Sequence, residues 1–261
     1  MLPRSFAAAL FVPALAVVPA RAQEVVTPPA LPVAAEVAPP PAAKMPRWRT
    51  EVDLGYVSTA GNSRLRTLNV AEQVAYAPGA WRFGETFSIV NAFTNDSETA
   101  ATIKVALRAD YAVGTRFRLF VLGDYTRDRF AGLSRRFEEA AGLAYGLLTG
   151  PRNVLDLEAG LGRTQQTPIG LPTQQYWVSR EAMHYKLNFT PKAFFEQRAE
   201  LLNDLQNPKN LLVNTESDVV APVLANVGLK VDYTVRFANV PPTAGVKKTD
   251  TVLSTSLQIL L

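Results

Sequence analysis

The stretch VLANVGLKVDYTVRF, residues 223–237, alternates apolar and polar residues along its whole length. Val223, Ala225, Val227, Leu229, Val231, Tyr233, Val235 and Phe237 fall on one face. Asn226, Gly228, Lys230, Asp232, Thr234 and Arg236 fall on the other. Successive side chains of a β-strand point to opposite sides, so a period of two builds one apolar and one polar face. Wound as a helix, the same residues would scatter Lys230, Asp232 and Arg236 around the axis and leave no apolar stripe. Ile103 to Val113 repeats the pattern, with Ile103, Val105, Leu107, Ala109, Tyr111 and Val113 set against Lys104, Arg108 and Asp110.

Working outward, strands are expected at 48–58, 64–77, 81–93, 117–127, 136–148, 153–163, 175–189, 193–203, 211–221 and 249–261 as well. That makes about twelve, an even number, as in single-chain bacterial barrels. From Trp48 onward no apolar run reaches the length of a membrane-spanning helix. Tight links at Pro78-Gly79, Gly114-Thr115, Gly150-Pro151, Thr190-Pro191 and Ala221-Pro222 alternate with longer polar ones. The longer set is Thr59–Ser63, Thr94–Thr99, Asp128–Arg135, Thr164–Gln174, Asp204–Asn210 and Ala238–Lys248. Short periplasmic turns alternating with longer outer loops put both termini in the periplasm. Every proline after Trp48 is placed in a connection, where its missing N–H breaks no ladder.

The apolar face is assigned to the outside. Twelve strands enclose more space than side chains of a greasy interior would fill. Aromatics form two belts on that face. Trp48, Tyr76, Trp81, Tyr111, Phe117, Tyr145, Phe189 and Phe195 sit beside the short turns, and Tyr56, Phe93, Tyr125, Phe137, Trp177 and Phe237 near the long loops. Such belts mark the two membrane–water interfaces. The expected fold is all-β: a closed antiparallel transmembrane up-and-down barrel in the bacterial outer membrane. Glu72 and Glu85 break the apolar pattern, nearly opposite each other across Pro78-Gly79, and a β-bulge near Ala71 or a shifted register is expected to relieve them. Residues 193–203, with Phe194, Phe195, Glu196, Gln197 and Arg198 in sequence, give no clear face.

The N-terminal part is of another kind. Arg4, an apolar run from Phe6 to Val18 and Ala20-Arg21-Ala22 read as a secretory signal over 1–22, cleaved before Gln23. Residues 23–47, with seven prolines among Ala, Val and Glu, read as an extended periplasmic linker, leaving 48–261 as the barrel. The absence of cysteine excludes disulfides, thiolate metal sites and thiol nucleophiles. A formal charge of +4 without a clustered basic stripe does not point to nucleic acid.

Trp48-Arg-Thr-Glu51-Val-Asp-Leu-Gly55-Tyr56, then Ala60-Gly61-Asn62-Ser63 and Thr67-Leu68-Asn69, resembles the start of a family of salt-induced outer-membrane proteins, long catalogued only as a domain of unknown function. The motif residues are Trp48, Gly55, Tyr56, Gly61 and Asn62, and the resemblance runs on to Lys248-Thr249-Asp250-Thr251. It implies an outer-membrane barrel with no agreed activity. One departure is the terminal Gln258-Ile259-Leu260-Leu261, where many barrels present an aromatic to the assembly machinery.

Strand parity directs Lys104, Arg108, Asp110, Arg118, Asp124, Asp156, Glu158, His184, Lys186, Lys230, Asp232 and Arg236 into the lumen. Both signs occur, often two residues apart. They support either salt-bridge ladders that fill a narrow interior or a small polar channel. No catalytic, metal or cofactor site is assigned. The sole histidine, His184, faces inward with Arg180, Lys186 and Asn188, and no serine is tied to it by sequence. The expected function is a non-enzymatic outer-membrane barrel with an envelope or stress role, or a narrow channel. The alternatives are a lipid-modifying barrel enzyme using His184 and a soluble exported barrel holding an apolar ligand. Expected partners are membrane lipid, the barrel-assembly machinery, and lipopolysaccharide at Asp128, Arg129, Arg135 and Arg136. No nucleic-acid partner is expected, and no oligomeric state is assigned.

Overall fold

The computed structural model describes residues 48–59, 65–243 and 246–260. The signal and linker segments expected over 1–47, together with Gly61, Asn62 and Leu261, lie outside the described residues. Twelve strands follow one another: β1 (Trp48–Thr59), β2 (Leu65–Tyr76), β3 (Trp81–Thr94), β4 (Ser97–Ala112), β5 (Phe117–Asp128), β6 (Leu133–Thr149), β7 (Asn153–Pro168), β8 (Gln174–Asn188), β9 (Phe194–Asp204), β10 (Leu211–Pro222), β11 (Val227–Ala238) and β12 (Thr249–Leu260). Each pairs antiparallel with its chain neighbours, and β12 returns to β1 through Glu51↔Leu260 to Leu54↔Leu257. Closure leaves no strand edge, so the ladder satisfies the backbone N–H and C=O groups without water.

The two faces separate as their residue types require. Leu54, Leu107, Leu119, Val121, Leu161, Leu229 and Leu253 are exposed on the outside. The rings of the turn-end belt meet there, Trp48 stacked on Tyr76 at 4.4 Å, Trp81 tilted against Tyr111 at 5.0 Å and Phe117 tilted against Tyr145 at 4.8 Å. Asp110, Asp156, Glu158, Arg180, His184 and Glu216 are instead buried in the interior. A carrier of apolar ligands needs the reverse arrangement. In water, an exposed apolar belt over a charged core would be unfavourable; in a bilayer it is the stable distribution.

Five expectations are corrected. β4 begins at Ser97, β6 at Leu133 and β7 runs to Pro168, so strands reach further on the loop side than apolar alternation indicates. The Thr94–Thr99 connection is a two-residue hairpin turn, Asn95-Asp96, with φ of 49° and 64°, the left-handed pair that Asn and Asp tolerate. Val223–Asn226, taken above as the start of a strand, is the β10–β11 turn, closed by Val223 N–H donating to Val227 O at 2.9 Å. Pro168 and Pro222 are the last residues of β7 and β10 and so end ladders from within the strand. The fifth correction concerns Glu72 and Glu85. β2 and β3 pair without a shift from Leu65↔Thr94 to Tyr76↔Phe83, so no bulge lies near Ala71. Glu72 faces Phe87 and Glu85 faces Val74, which sets the carboxylates on a diagonal, both exposed on the outer face.

Candidate functional site: a septum of buried charge

The interior is organised by register. Asp110 on β4 stands opposite Phe120 on β5, Phe120 opposite Gly142 on β6, Gly142 opposite Gly160 on β7, and Gly160 opposite Arg180 on β8. The two glycines leave the wall bare between Phe120 and Arg180. A Cβ on Gly160 would sit 3.0 Å from Phe120 Cζ and 2.6 Å from Ala141 O. Phe120, the largest fully buried side chain, fills that space. The guanidiniums of Arg108 and Arg180 stack on it, with Cζ 4.7 Å and 5.4 Å from the ring centroid.

Around this ring runs a chain of ion pairs. Arg108 donates to both oxygens of Asp110 at 2.8 Å and reaches Glu158, giving 3.1 Å from Nη1 to Oε2. Glu158 also accepts from Arg180 Nη1 at 2.6 Å, and Arg180 Nε donates to Glu200 at 2.7 Å. Arg118 donates to Asp156 at 3.0 Å, and Lys104 lies 2.9 Å from Asp124. On the other wall, Glu196 lies 2.9 Å from His184 Nε2 and 3.2 Å from Lys186 Nζ, and pairs with Arg198. Arg198 donates to Glu216 at 2.9 Å and to Asp218 at 3.1 Å. Lys230 links Asp218, at 3.5 Å, to Asp53 on β1, at 3.1 Å.

Of the residues directed inward by parity, Arg108, Asp110, Arg118, Asp124, Asp156, Glu158, His184, Lys230 and Asp232 are buried, and Lys104, Lys186 and Arg236 are half-buried. Asp232 accepts from the Thr234 hydroxyl at 3.1 Å, and Arg236 lies 3.8 Å from Asp128 at the loop-end rim. The sequence reading did not assign Phe120, Glu196, Arg198, Glu200, Glu216, Asp218 and Asp53 to this interior. In β9 the signal was present: Glu196 and Arg198 alternate with Phe195 and Gln197, and the first pair is buried. Trp48, Gly55 and Tyr56 are in β1, with Trp48 and Tyr56 exposed to the membrane side. Among the four residues assigned above to lipopolysaccharide, Arg129 and Arg135 are exposed outside. Arg136 turns in, donating to Gln166 at 2.8 Å, and Asp128 accepts from the N–H of Ala131 at 2.9 Å.

Glu216, Asp218 and Asp232 bring ligand atoms within 4.8 Å of one another. Arg198 and Lys230 already bind two of the three, which makes the cluster part of the ion-pair chain. His184 is fully buried, and among the described residues its Nδ1 has no hydrogen-bond partner. Its one bonded neighbour is a carboxylate, so the geometry of a serine nucleophile beside a base is not built here.

Cavities lie on both sides of this charged layer. On the loop side is a cavity of about 70 Å³ with mixed charge, lined by Lys104, Arg136 and Arg236 against Asp124, Glu138 and Glu200. On the turn side is a cavity of about 770 Å³.

Comparison with known proteins places the chain. It is 23% identical over 220 residues to the uncharacterized protein YdiY of Escherichia coli (strain K12), covering 84% of both chains. The translocator domain of the autotransporter NalP from Neisseria meningitidis superposes with a TM-score of 0.47 at 14% identity, over 84% of this chain and 89% of that one. The NanC porin gives 0.46 at 9% identity, over 81% and 97%. The closed wall, its apolar exterior and its charged interior make this an outer-membrane β-barrel. Residues 52–259 match the family model described as a protein of unknown function, DUF481, and the chain belongs to that family.

Proposed function

We propose that this protein is a non-enzymatic outer-membrane barrel whose lumen is held shut, an envelope component and not an open pore. The septum carries the reading. Arg108, Asp110, Glu158, Arg180 and Phe120 are each at most 8% exposed although they come from four strands. A water-filled channel would keep such side chains hydrated, and burying them is tolerable only because each has a charged partner. The ladders cross the lumen and stiffen the wall against changes in outer ionic conditions, which agrees with a role under salt or envelope stress. Arg129 and Arg135 at the loop-end rim suit contact with lipopolysaccharide phosphates. The barrel-assembly machinery is the partner during biogenesis.

Planar-bilayer recording is the test. The wild type is expected to give no steady conductance steps across a range of salts. A Phe120→Ala/Arg108→Ser/Arg180→Ser variant that keeps heat-modifiable gel migration is expected to conduct. Stepwise current from the wild type would replace the sealed reading with that of a narrow channel. Changed phospholipid or lipopolysaccharide profiles in a His184→Ala strain, matching those of a deletion strain, would replace it with an enzyme.

A further inference from the structure

The turn-end cavity lies on the lumen side of the wall, between buried inward residues such as Val154, Phe194, Val220 and Gln258 and the turns that follow β6, β8 and β10. Among the described residues four cations line it, Arg49, Arg152, Lys186 and Lys192, and no carboxylate does. They come from β1, the β6–β7 turn, β8 and the β8–β9 turn, so they surround the space from separate elements. The two nearby carboxylates pair with Arg49 and Lys186 of the cup itself, and each is shared with a further donor. Glu51 is bound by Arg49 and by Gln258 at 3.1 Å, and Glu196 is shared by His184, Lys186 and Arg198. The Lys192 ammonium is fixed at the mouth by a 2.6 Å bond to Ala225 O, and Lys186 Nζ stands 3.6 Å from the centroid of Phe194. Among the described residues no anionic group balances Arg152.

We infer that this cup is a binding site for a soluble multivalent oxyanion, a small molecule bearing several phosphate or carboxylate groups. A cavity of about 770 Å³ is within the usual range for small-molecule sites, roughly 300–1,000 Å³. Converging cations in a concave, low-dielectric wall focus potential on its centre. Arg152 can grip a planar oxyanion with two N–H groups. The cup is lined by the inward residues Val154, Phe194, Val220 and Gln258, and only its rim, at Phe189 and Leu224, reaches the outer belt, so the ligand comes from the aqueous compartment and not from a lipid headgroup. The neighbouring septum closes its inner end, which makes it a receptor cup and not one station of a permeation path.

Calorimetric titration of the folded wild type in a zwitterionic detergent, with inorganic tripolyphosphate as the probe, tests this. One saturable site is expected. An Arg152→Gln/Lys192→Gln variant, both changes lying in turns outside the septum, is expected to keep heat-modifiable migration and bind roughly tenfold more weakly or worse. An Arg127→Gln/Arg163→Gln variant, altered on the outer face, is expected to bind as the wild type does. Absence of binding, or equal affinity in the cup variant and the wild type, would overturn the site. Displacement of tripolyphosphate by micelle-borne phosphatidic acid would overturn its assignment to a soluble ligand. The readout is binding, so its failure is separate from that of the sealed lumen, which conductance reports.

Discussion

Glu158 on β7 and Glu85 on β3 are the same side chain held on opposite faces of one wall. Glu158 is buried between Arg108 and Arg180. Glu85, like Glu72 beside it, is exposed on the outer face, and among the described residues neither has an ion-pair or hydrogen-bond partner. The charge is identical and its surroundings are not. Inside, a carboxylate is needed because two guanidiniums already face it. Outside, the cross-strand partners on β2 and β3 are apolar, Val74 for Glu85 and Phe87 for Glu72, and among the described residues no cation faces either carboxylate there. Removing the carboxylate should therefore have opposite signs on the two faces.

The largest effect is expected at Glu158. Replacing it with Ala leaves Arg108 and Arg180 facing each other without the shared acceptor, a loss of about 3–5 kcal/mol by the rule for a broken buried pair. Urea unfolding in phospholipid vesicles, followed by the fluorescence of Trp48, Trp81 and Trp177 on the outer face, measures it. An unfolding midpoint equal to wild type would mean that the septum does not hold the barrel together. Next is Gly142→Ala. The new methyl would collide with Ala159 O and Gly160 Cα, which are backbone and cannot swing aside. A loss of about 1–3 kcal/mol is expected in the same assay, as for overpacking elsewhere. A neutral result would show that β6 and β7 can part there without disturbing Phe120.

The sign reverses at Glu72 and Glu85. Changing either to Leu removes an unpaired carboxylate from the lipid face and should raise stability by about 1 kcal/mol, below the cost of a basic residue at that depth. A loss on mutation would instead mean that a partner in the membrane holds those carboxylates.

The outward half of this comparison was readable from residue order and the inward half only partly. Alternation shows which side a residue takes, so Leu107, Leu229 and Arg108 are placed correctly by parity alone. It fails where alternation ceases to carry information. Ser97 to Thr102 has no apolar face to count, yet its backbone pairs with β3 up to the Asn95-Asp96 turn. Val223 to Asn226 alternates by chance over four residues and is a turn. Parity also cannot name partners. Arg108 and Glu158 are 50 residues apart, and they meet because the stagger of four strands brings them to one level across Gly142 and Gly160. That stagger is a property of the closed sheet and has no local signature in the chain.

The smallest effect tests whether burial, and not charge pairing as such, sets the scale. Arg66 at the loop end of β2 donates to Asp96 in the β3–β4 turn at 2.7 Å, a shorter separation than several pairs in the septum. Both side chains are more than half exposed, at 53% and 61%. Water and salt screen them, and holding two long side chains in one geometry offsets much of the Coulomb gain. Arg66 also lies 5.6 Å from the Phe93 ring centroid, an exposed contact of similarly small worth. Arg66→Ala should therefore change stability by no more than about 0.5 kcal/mol, and a double-mutant cycle with Asp96→Ala should give a coupling in the same small range. A coupling as large as that of Arg108 with Glu158 would mean that the loop end is as dry as the septum, and the contrast between the two faces would then need another cause.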